Sequence, residues 1–149
     1  MKILKRDSNE PDALELMNEL SKVLEKITGS SGRGSFNIED VRSPRSLFAV
    51  AYLQEEAVGC GAIRPIDETT AEVKRMYARL SGKGIGSALL DYLEIEAQKM
   101  GYTKLILETR VINRKAVLFY ESKSYKRIQN YGKYANRPES VCFEKKLVD

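Results

Sequence analysis

A run of alternating glycines, Ser81-Gly82-Lys83-Gly84-Ile85-Gly86, is the stretch of this sequence best suited to bind a ligand. It lies between a strand-like segment, residues 72–78, and a helical apolar pattern that ends at Gly101. Glycines leave no Cβ atoms to keep a ligand from the backbone, and N–H groups at a helix start carry partial positive charge. The spacing therefore predicts a site for a phosphate-bearing ligand.

Two common phosphate-binding motifs match this run incompletely. A P-loop has Lys-Ser or Lys-Thr after its last glycine, whereas Gly86 is followed by Ser87-Ala88, which excludes that motif. A Rossmann fingerprint has glycine at the position of Ser87, although Glu108, ending the next predicted strand, stands where that fold keeps its ribose-binding acid. On this stretch alone, a dinucleotide site stays open.

The order of the predicted elements decides against the Rossmann alternative. Strands are predicted over residues 2–6, 47–53, 57–66, 72–78, 104–109, 125–131 and 140–147, and helices beginning near Pro11, Gly86 and Asn113. Three consecutive strands without intervening helices are typical of an antiparallel meander, and the return after the central helix makes the fifth strand parallel to the fourth. We expect one α/β domain over residues 1–149.

Several segments, taken in order, resemble the acyl-CoA-binding core of the GCN5-related N-acetyltransferase (GNAT) family. The matching residues are Val73-Lys74-Arg75-Met76-Tyr77, Gly82 with the following residues to Leu90, Leu105-Ile106-Leu107-Glu108-Thr109, Asn113, Ala116 and Phe119-Tyr120-Glu121. The family motif is Arg or Gln, two residues, Gly, one residue, then Gly or Ala, and its glycines fall here on Gly84 and Gly86. Its first position is Ser81, and the connection that leads to Gly82 is shorter than is common in the family.

This resemblance implies a fold and a cofactor. The fold is a GNAT-like mixed sheet, in which an antiparallel N-terminal meander precedes a parallel central strand pair splayed around the acyl-CoA, flanked by about four helices. The acyl donor is acetyl-CoA, no metal takes part, the acceptor is an amine, and a homodimer would be unsurprising. The residues implied to hold the cofactor are Met76, Tyr77, Ala78, Ser81, Gly82, Lys83, Gly84, Ile85, Gly86, Ser87, Asn113 and Ala116.

The resemblance also implies roles for five other residues. Tyr120 matches the family's tyrosine that protonates the leaving sulfur, and packing is its alternative role. Glu72 is the candidate base, acting directly or through water, and its alternative is a solvated strand end. Phe36, Tyr131 and Tyr134 are expected to wall the acceptor pocket. Because Ser81 and the short connection depart from the motif, a non-catalytic CoA-binding sensor or regulatory domain is the alternative function.

The composition limits the other possibilities. The 149 residues contain no histidine, which excludes Ser-His-Asp and Cys-His catalysis and histidine-ligated metals. The net charge of +4 comes from basic residues scattered among acids, so we expect no nucleic-acid partner. Neither an apolar run of membrane-spanning length nor a signal-peptide pattern is visible, and we expect a cytoplasmic protein with two reduced, buried cysteines, Cys60 and Cys142.

Overall fold

A computed structural model describes residues 1–148, apart from the side chain of Ser35, and shows seven strands in one mixed sheet. The strands are β1 (Lys2–Lys5), β2 (Leu47–Leu53), β3 (Glu56–Pro65), β4 (Thr70–Ala78), β5 (Lys104–Arg110), β6 (Lys126–Ile128) and β7 (Ser140–Lys146). The helices are α1 (Pro11–Thr28), α2 (Ile85–Lys99) and α3 (Arg114–Ser122), with 3₁₀ turns at Arg33–Ser35, Ile38–Val41 and Gly132–Tyr134. The strand order is β1-β2-β3-β4-β5-β7-β6.

This architecture confirms the predicted fold class. β1 to β4 pair antiparallel in sequence order, and β4 and β5 are the parallel pair. In the described part of the chain three α-helices and three 3₁₀ turns accompany the sheet, close to the four helices expected. The predicted strand over residues 125–131 is shorter, because Asn130 turns aside to donate to the carbonyl oxygens of Arg137 and Ser140. Each helix within residues 1–148 is too short or too polar to span a membrane.

The two faces of the sheet bury different helices. Because successive strand residues point to opposite faces, Leu47 and Ala49 of β2 join the core under α2, whereas Phe48 and Val50 join the core under α1. The residues that α2 buries are Ile85, Leu89, Leu90, Leu93 and Ala97, which agrees with the apolar period seen in the sequence. Cys60 and Cys142 are both buried and free, and burial raises the pKa of the Cys60 thiol to about 12.

Helix α1 buries only part of the stripe that its sequence predicts, Leu14, Met17, Leu20, Leu24 and Ile27, since Met17 and Leu20 are in the core. The expected core positions include Leu14 and Ile27, but these side chains are 39% and 38% exposed. The residues buried are Ala13, Leu16, Met17, Leu20 and Ser21. The helix therefore has a second apolar stripe, of which Val23, Leu24 and Ile27 line a cavity instead of the core.

The parallel strands β4 and β5 separate after only three residue pairs. Their register covers Thr70 with Lys104, Ala71 with Leu105, and Glu72 with Ile106, and residues 73–78 of β4 have no partner on β5. At the point of separation the β3–β4 register shifts, and Arg75 has a φ of 55°. Such a bulge bends the strand and increases its twist. The separation opens a wedge between the two strands.

Close packing of α2 on β3 predicts that Gly59 cannot be replaced. A Cβ atom there would lie 2.6 Å from Ile85 Cγ2 and 2.8 Å from the backbone oxygen of Tyr77. We expect Gly59→Ala to lower the free energy of unfolding by about 1 to 3 kcal/mol, because overpacking a tight core has that cost. Gly34→Ala is the control, since its Cβ would meet nothing within 4 Å. Urea unfolding with an unchanged midpoint for Gly59→Ala would contradict this packing.

Candidate functional site

A cavity of about 670 Å³ occupies the wedge between β4 and β5. Its walls come from β4, the glycine bend (residues 81–86), the start of α2, β5, α3 and the end of α1. One wall is apolar, because Val23, Leu24 and Ile27 of α1 face it. This cavity, the cleft, extends from the strand bulge at Arg75 to the glycine bend.

The glycine bend leaves backbone N–H groups open to this cleft. Gly82 and Gly84 have φ values of 72° and 71°, a conformation that favours glycine, and a Cβ atom on either would meet nothing within 4 Å. Gly84 is the N-cap of α2 and supplies no side-chain cap. The first N–H groups of α2 thus lack a capping side chain, and they carry the positive end of the helix dipole. This local structure suits an anion.

The structure brings most of the predicted cofactor residues together around the cleft. All of them line the cavity except Lys83. Asn113 also has the capping role expected of it, since its Oδ1 accepts a hydrogen bond from the Ala116 N–H at 3.3 Å. The lining residues are Met76, Tyr77, Ala78, Ser81, Gly82, Gly84, Ile85, Gly86, Ser87, Asn113 and Ala116.

Sequence reasoning missed one cation at the bend. Lys115 of α3 lines the cavity, and its Nζ lies 3.2 Å from Ser81 Oγ. Ser81 stands where the family motif usually has the longer side chain of Arg or Gln. Here the positive charge beside this position comes from Lys115 of α3. No signal in the sequence pointed to Lys115, because its approach to Ser81 depends on how α3 packs against the bend.

Tyr120 lines the cleft from α3 and is 8% exposed. Its ring contacts Phe119, Tyr125 and Phe143, with ring centroids 5.1, 5.7 and 6.3 Å away. Burial raises the pKa of its hydroxyl, so the group stays protonated at neutral pH. Tyr120 therefore packs in an aromatic cluster and also lines the cavity.

Glu72 is buried rather than solvated, and it lines neither this cleft nor the cavity beside it. Arg64 bonds its Oε1 from Nε at 2.8 Å, and the Tyr131 hydroxyl donates to its Oε2 at 2.5 Å. Burial and the nearby Glu72 carboxylate raise the pKa of Tyr131. The Tyr131 hydroxyl thus contacts the Glu72 carboxylate. The Tyr131 ring packs edge-on against the Tyr134 ring, with the centroids 5.6 Å apart.

A second cavity, of about 660 Å³, adjoins the cleft. Arg75, Lys133 and Gly34 line both cavities, so the two spaces meet at the bulge of β4. The three residues predicted to wall the acceptor pocket do not line the same cavity. Phe36 lines the second cavity, Tyr134 lines the cleft, and Tyr131 lines neither.

Lys74, on β4, is a further cleft residue that the sequence did not single out. It is 8% exposed, and its Nζ donates to the Tyr134 hydroxyl at 3.1 Å. Burial lowers the pKa of Lys74, and the charges of Arg64 and Arg75 lower it further, while Glu72 and Glu108 oppose this shift. Among the residues described, no cluster of three or more carboxylate or thiol side chains could hold a metal ion.

Comparisons with known proteins agree with this geometry. The model of the acetyltransferase (GNAT) family matches residues 14–125. An N-acetyltransferase of Bacillus subtilis, YsnE, described as uncharacterized, is 30% identical over 90% of this chain and 91% of its own. The IAA acetyltransferase of Azospirillum brasilense is 32% identical over 95% of each chain.

A solved structure with a comparable sequence identity has the same fold. The crystal structure of a Klebsiella pneumoniae protein described as an acyl-CoA N-acyltransferase superposes with a TM-score of 0.82 at 26% identity, covering 98% of this chain and 97% of that one. The family match, the whole-length relatives and the splayed strand pair lead to one conclusion. This chain belongs to the GNAT family of acetyltransferases and is an acyl-CoA-dependent N-acetyltransferase whose acyl donor is acetyl-CoA.

Proposed function

We propose that the protein transfers the acetyl group of acetyl-CoA to a primary amine, of a small molecule or an exposed amino group, by direct attack of the amine on the thioester. The observation that carries this proposal is the single cleft that runs from the unpaired end of β4 to the open glycine bend. Acetyl-CoA supplies an activated acetyl group as a thioester. The residues around the cleft bind acetyl-CoA and transfer the protons of the reaction.

The glycine bend and α3 are suited to the diphosphate of acetyl-CoA. Backbone N–H groups of residues 82–87 donate hydrogen bonds, and Lys115 adds a positive charge beside Ser81. The backbone of Met76, Tyr77 and Ala78, unpaired toward β5, offers the groups that a pantetheine arm needs for strand addition. The apolar stripe of α1 closes the other side of the cleft.

In this proposal Tyr120 serves as the acid that protonates the leaving thiolate. It reaches the cleft from α3, and burial keeps its hydroxyl protonated. The backbone N–H of Met76 or Tyr77, next to the Arg75 bulge, is the donor for the oxyanion that develops during transfer. Such a donor typically contributes about 3 kcal/mol to transition-state stabilisation.

Glu72 acts as the base through Tyr131 in this proposal. Glu72 is fully buried and lines neither cavity, so the carboxylate cannot contact the acceptor directly. Because Tyr131 lines neither cavity, the amine proton reaches its oxygen through water as the Tyr131 proton passes to Glu72 Oε2. Arg64 stabilises the carboxylate before the transfer, at 2.7 Å from Oε1.

The alternative function is a CoA-binding sensor without turnover, which the departure at Ser81 favours. Two measurements distinguish the functions. Isothermal titration detects acetyl-CoA binding, and thiol release across a panel of amines detects transfer. Binding without release for any amine would favour the sensor, and no binding at high micromolar acetyl-CoA would exclude both.

Gly84→Ala tests the role of the glycine bend. An alanine at a φ of 71° is strained by roughly 1 to 2 kcal/mol, and its methyl group points into the open space of the bend. We expect CoA to bind about tenfold more weakly, the equivalent of one lost charge-assisted hydrogen bond. Gly101→Ala, at a φ of 94° beyond the other end of α2, is the matched control for strain and should leave the CoA dissociation constant unchanged. Equal affinities for the two variants would contradict the role of the bend.

Tyr120→Phe tests the proposed acid. We expect kcat to fall about a hundredfold, because general acids typically contribute that much or more, while the CoA dissociation constant stays the same. Tyr125→Phe is the control within the same aromatic cluster. It loses a 2.8 Å hydrogen bond to Glu94 and about 1 kcal/mol of stability, but it should retain kcat. Unchanged turnover by a folded Tyr120→Phe variant would remove this residue from the mechanism.

Glu72→Gln and Tyr131→Phe test the proton relay together. If the two groups act in series, each variant lowers kcat by roughly tenfold or more, and the double variant loses no more than the worse single one. Steady-state kinetics on the three variants, with melting temperatures to verify folding, measures this coupling. Independent losses that multiply in the double variant would show that Glu72 and Tyr131 do not share one proton path.

A further inference from the structure

Five cationic side chains gather where the cleft meets the second cavity. Every one of them lines at least one of the two spaces, and two of them line both. They come from β4, from the loop after α1 and from the turn before β7, three parts of the chain that are distant in sequence. The members of this cationic cluster are Arg33, Lys74, Arg75, Lys133 and Arg137.

Three of these cations surround the ring of Tyr134, which is 4% exposed. Lys133 Nζ lies 5.6 Å from the ring centroid, Lys74 Nζ 5.7 Å and the Arg137 guanidinium carbon 6.0 Å. A ring face attracts a cation only weakly, and the three positive charges repel one another. The pKa of Lys133 is lowered by burial and then by Lys74 and Arg64, which is a direct consequence of this crowding.

The nearby carboxylates are engaged with other partners. Glu72 bonds with Arg64 and Tyr131, and Asp40 pairs with Arg64 at 2.7 Å. Glu108 accepts a hydrogen bond from Ser140 at 2.6 Å and lies 3.7 Å from Arg110. Among the side chains described, no carboxylate forms a salt bridge with a member of the cationic cluster.

Arg75 is the most deeply placed member of the cluster. It is 9% exposed and bonds only neutral oxygens, of Met17, Ser21 and Ser31, while its Nε has no hydrogen-bond partner among the described residues. A buried charge without a counter-charge is unfavourable. An anion that entered the junction of the two cavities would supply the missing counter-charge.

The CoA phosphates are not the natural occupants of this junction. Arg75 lies at the bulge, and three residues of strand separate it from the end of β4 at Ala78, roughly 10 Å at the rise of an extended chain. The glycine bend follows only after that, with its own cation, Lys115. The cationic cluster thus lies at the opposite end of the cleft, toward the second cavity.

We propose that the acceptor amine also carries an anionic group, a carboxylate or a phosphate, which binds at this cationic cluster. The inference rests on the proposed acetyl transfer and specifies its substrate class. The anion compensates Arg75, Lys133 and Arg137, and a molecule anchored there brings its amine to the bulge of β4. A polycationic amine would meet repulsion at the same place.

The test compares matched acceptors in thiol-release assays with acetyl-CoA. One set pairs the twenty amino acids with their carboxamides, a second pairs O-phosphoethanolamine with ethanolamine, and spermidine represents polycations. We expect the anionic member of at least one pair to be used with a kcat/KM about tenfold or more above its neutral counterpart, since charge-assisted hydrogen bonds contribute that much. The pair with the larger ratio of kcat/KM values shows whether the bound anion is a carboxylate or a phosphate.

Variants then assign the preference to the cluster. Lys133 and Arg137 are exposed, so Lys133→Gln with Arg137→Gln should fold. We expect the ratio of kcat/KM for the anionic member to kcat/KM for the neutral member to fall to about one in this double variant. Lys126→Gln, an exposed lysine on β6 outside both cavities, should keep the preference.

Three outcomes would overturn the inference. They are equal or better use of the neutral acceptors or spermidine, an anionic preference that persists in the double variant, and acetyl-CoA binding without turnover of any anionic acceptor. Failure to bind acetyl-CoA at all would instead refute the proposed function on which the inference rests. The titration of acetyl-CoA is therefore carried out first.

Discussion

The early separation of β4 from β5 is the constraint on which the site depends. Parallel strands that remain hydrogen-bonded to their ends leave no room between them, and here pairing stops at Glu72 and Ile106. The positive φ of Arg75 and the shifted register against β3 keep β4 bonded to one neighbour while it leaves the other. The cleft, the unpaired backbone of residues 76–78 and the opening toward the glycine bend all follow from that separation.

The bulge of β4 places charged side chains in the protein interior, where a charge is unfavourable. Glu72 precedes it and Arg75 forms it, and both side chains are buried. Glu72 has a full set of partners in Arg64 and Tyr131, whereas Arg75 bonds neutral oxygens only. A buried ion pair contributes little net stability, and an uncompensated buried cation reduces it. These buried charges therefore contribute little to the stability of the fold.

The three helices contribute different parts of the cleft. α2 buries a continuous apolar stripe and holds its N-terminus, with Gly84 as N-cap, at the end of the cleft. α1 buries small and apolar residues under one stripe, and its second stripe of Val23, Leu24 and Ile27 remains available to the cleft. α3 contributes Tyr120 and Lys115 to the same space. One helix therefore begins at the glycine bend, one lines the cleft with apolar side chains, and one brings Tyr120 and Lys115 to it.

The sequence by itself determined what depends on neighbouring residues. Glycine alternation, the apolar period of α2, the Asn113 cap and the succession of strands and helices along the chain are visible in the sequence. They indicated the mixed sheet, the family and the residues around the bend, but not the position of β7 between β5 and β6. Only the tertiary structure decided the features that join distant residues. The bulge at a non-glycine residue, the Glu72–Arg64 pair, Lys115 beside Ser81 and the cations around Tyr134 each require side chains that meet only after the sheet has formed. No local pattern encodes these contacts, because burial and long-range packing, and not propensity, produce them.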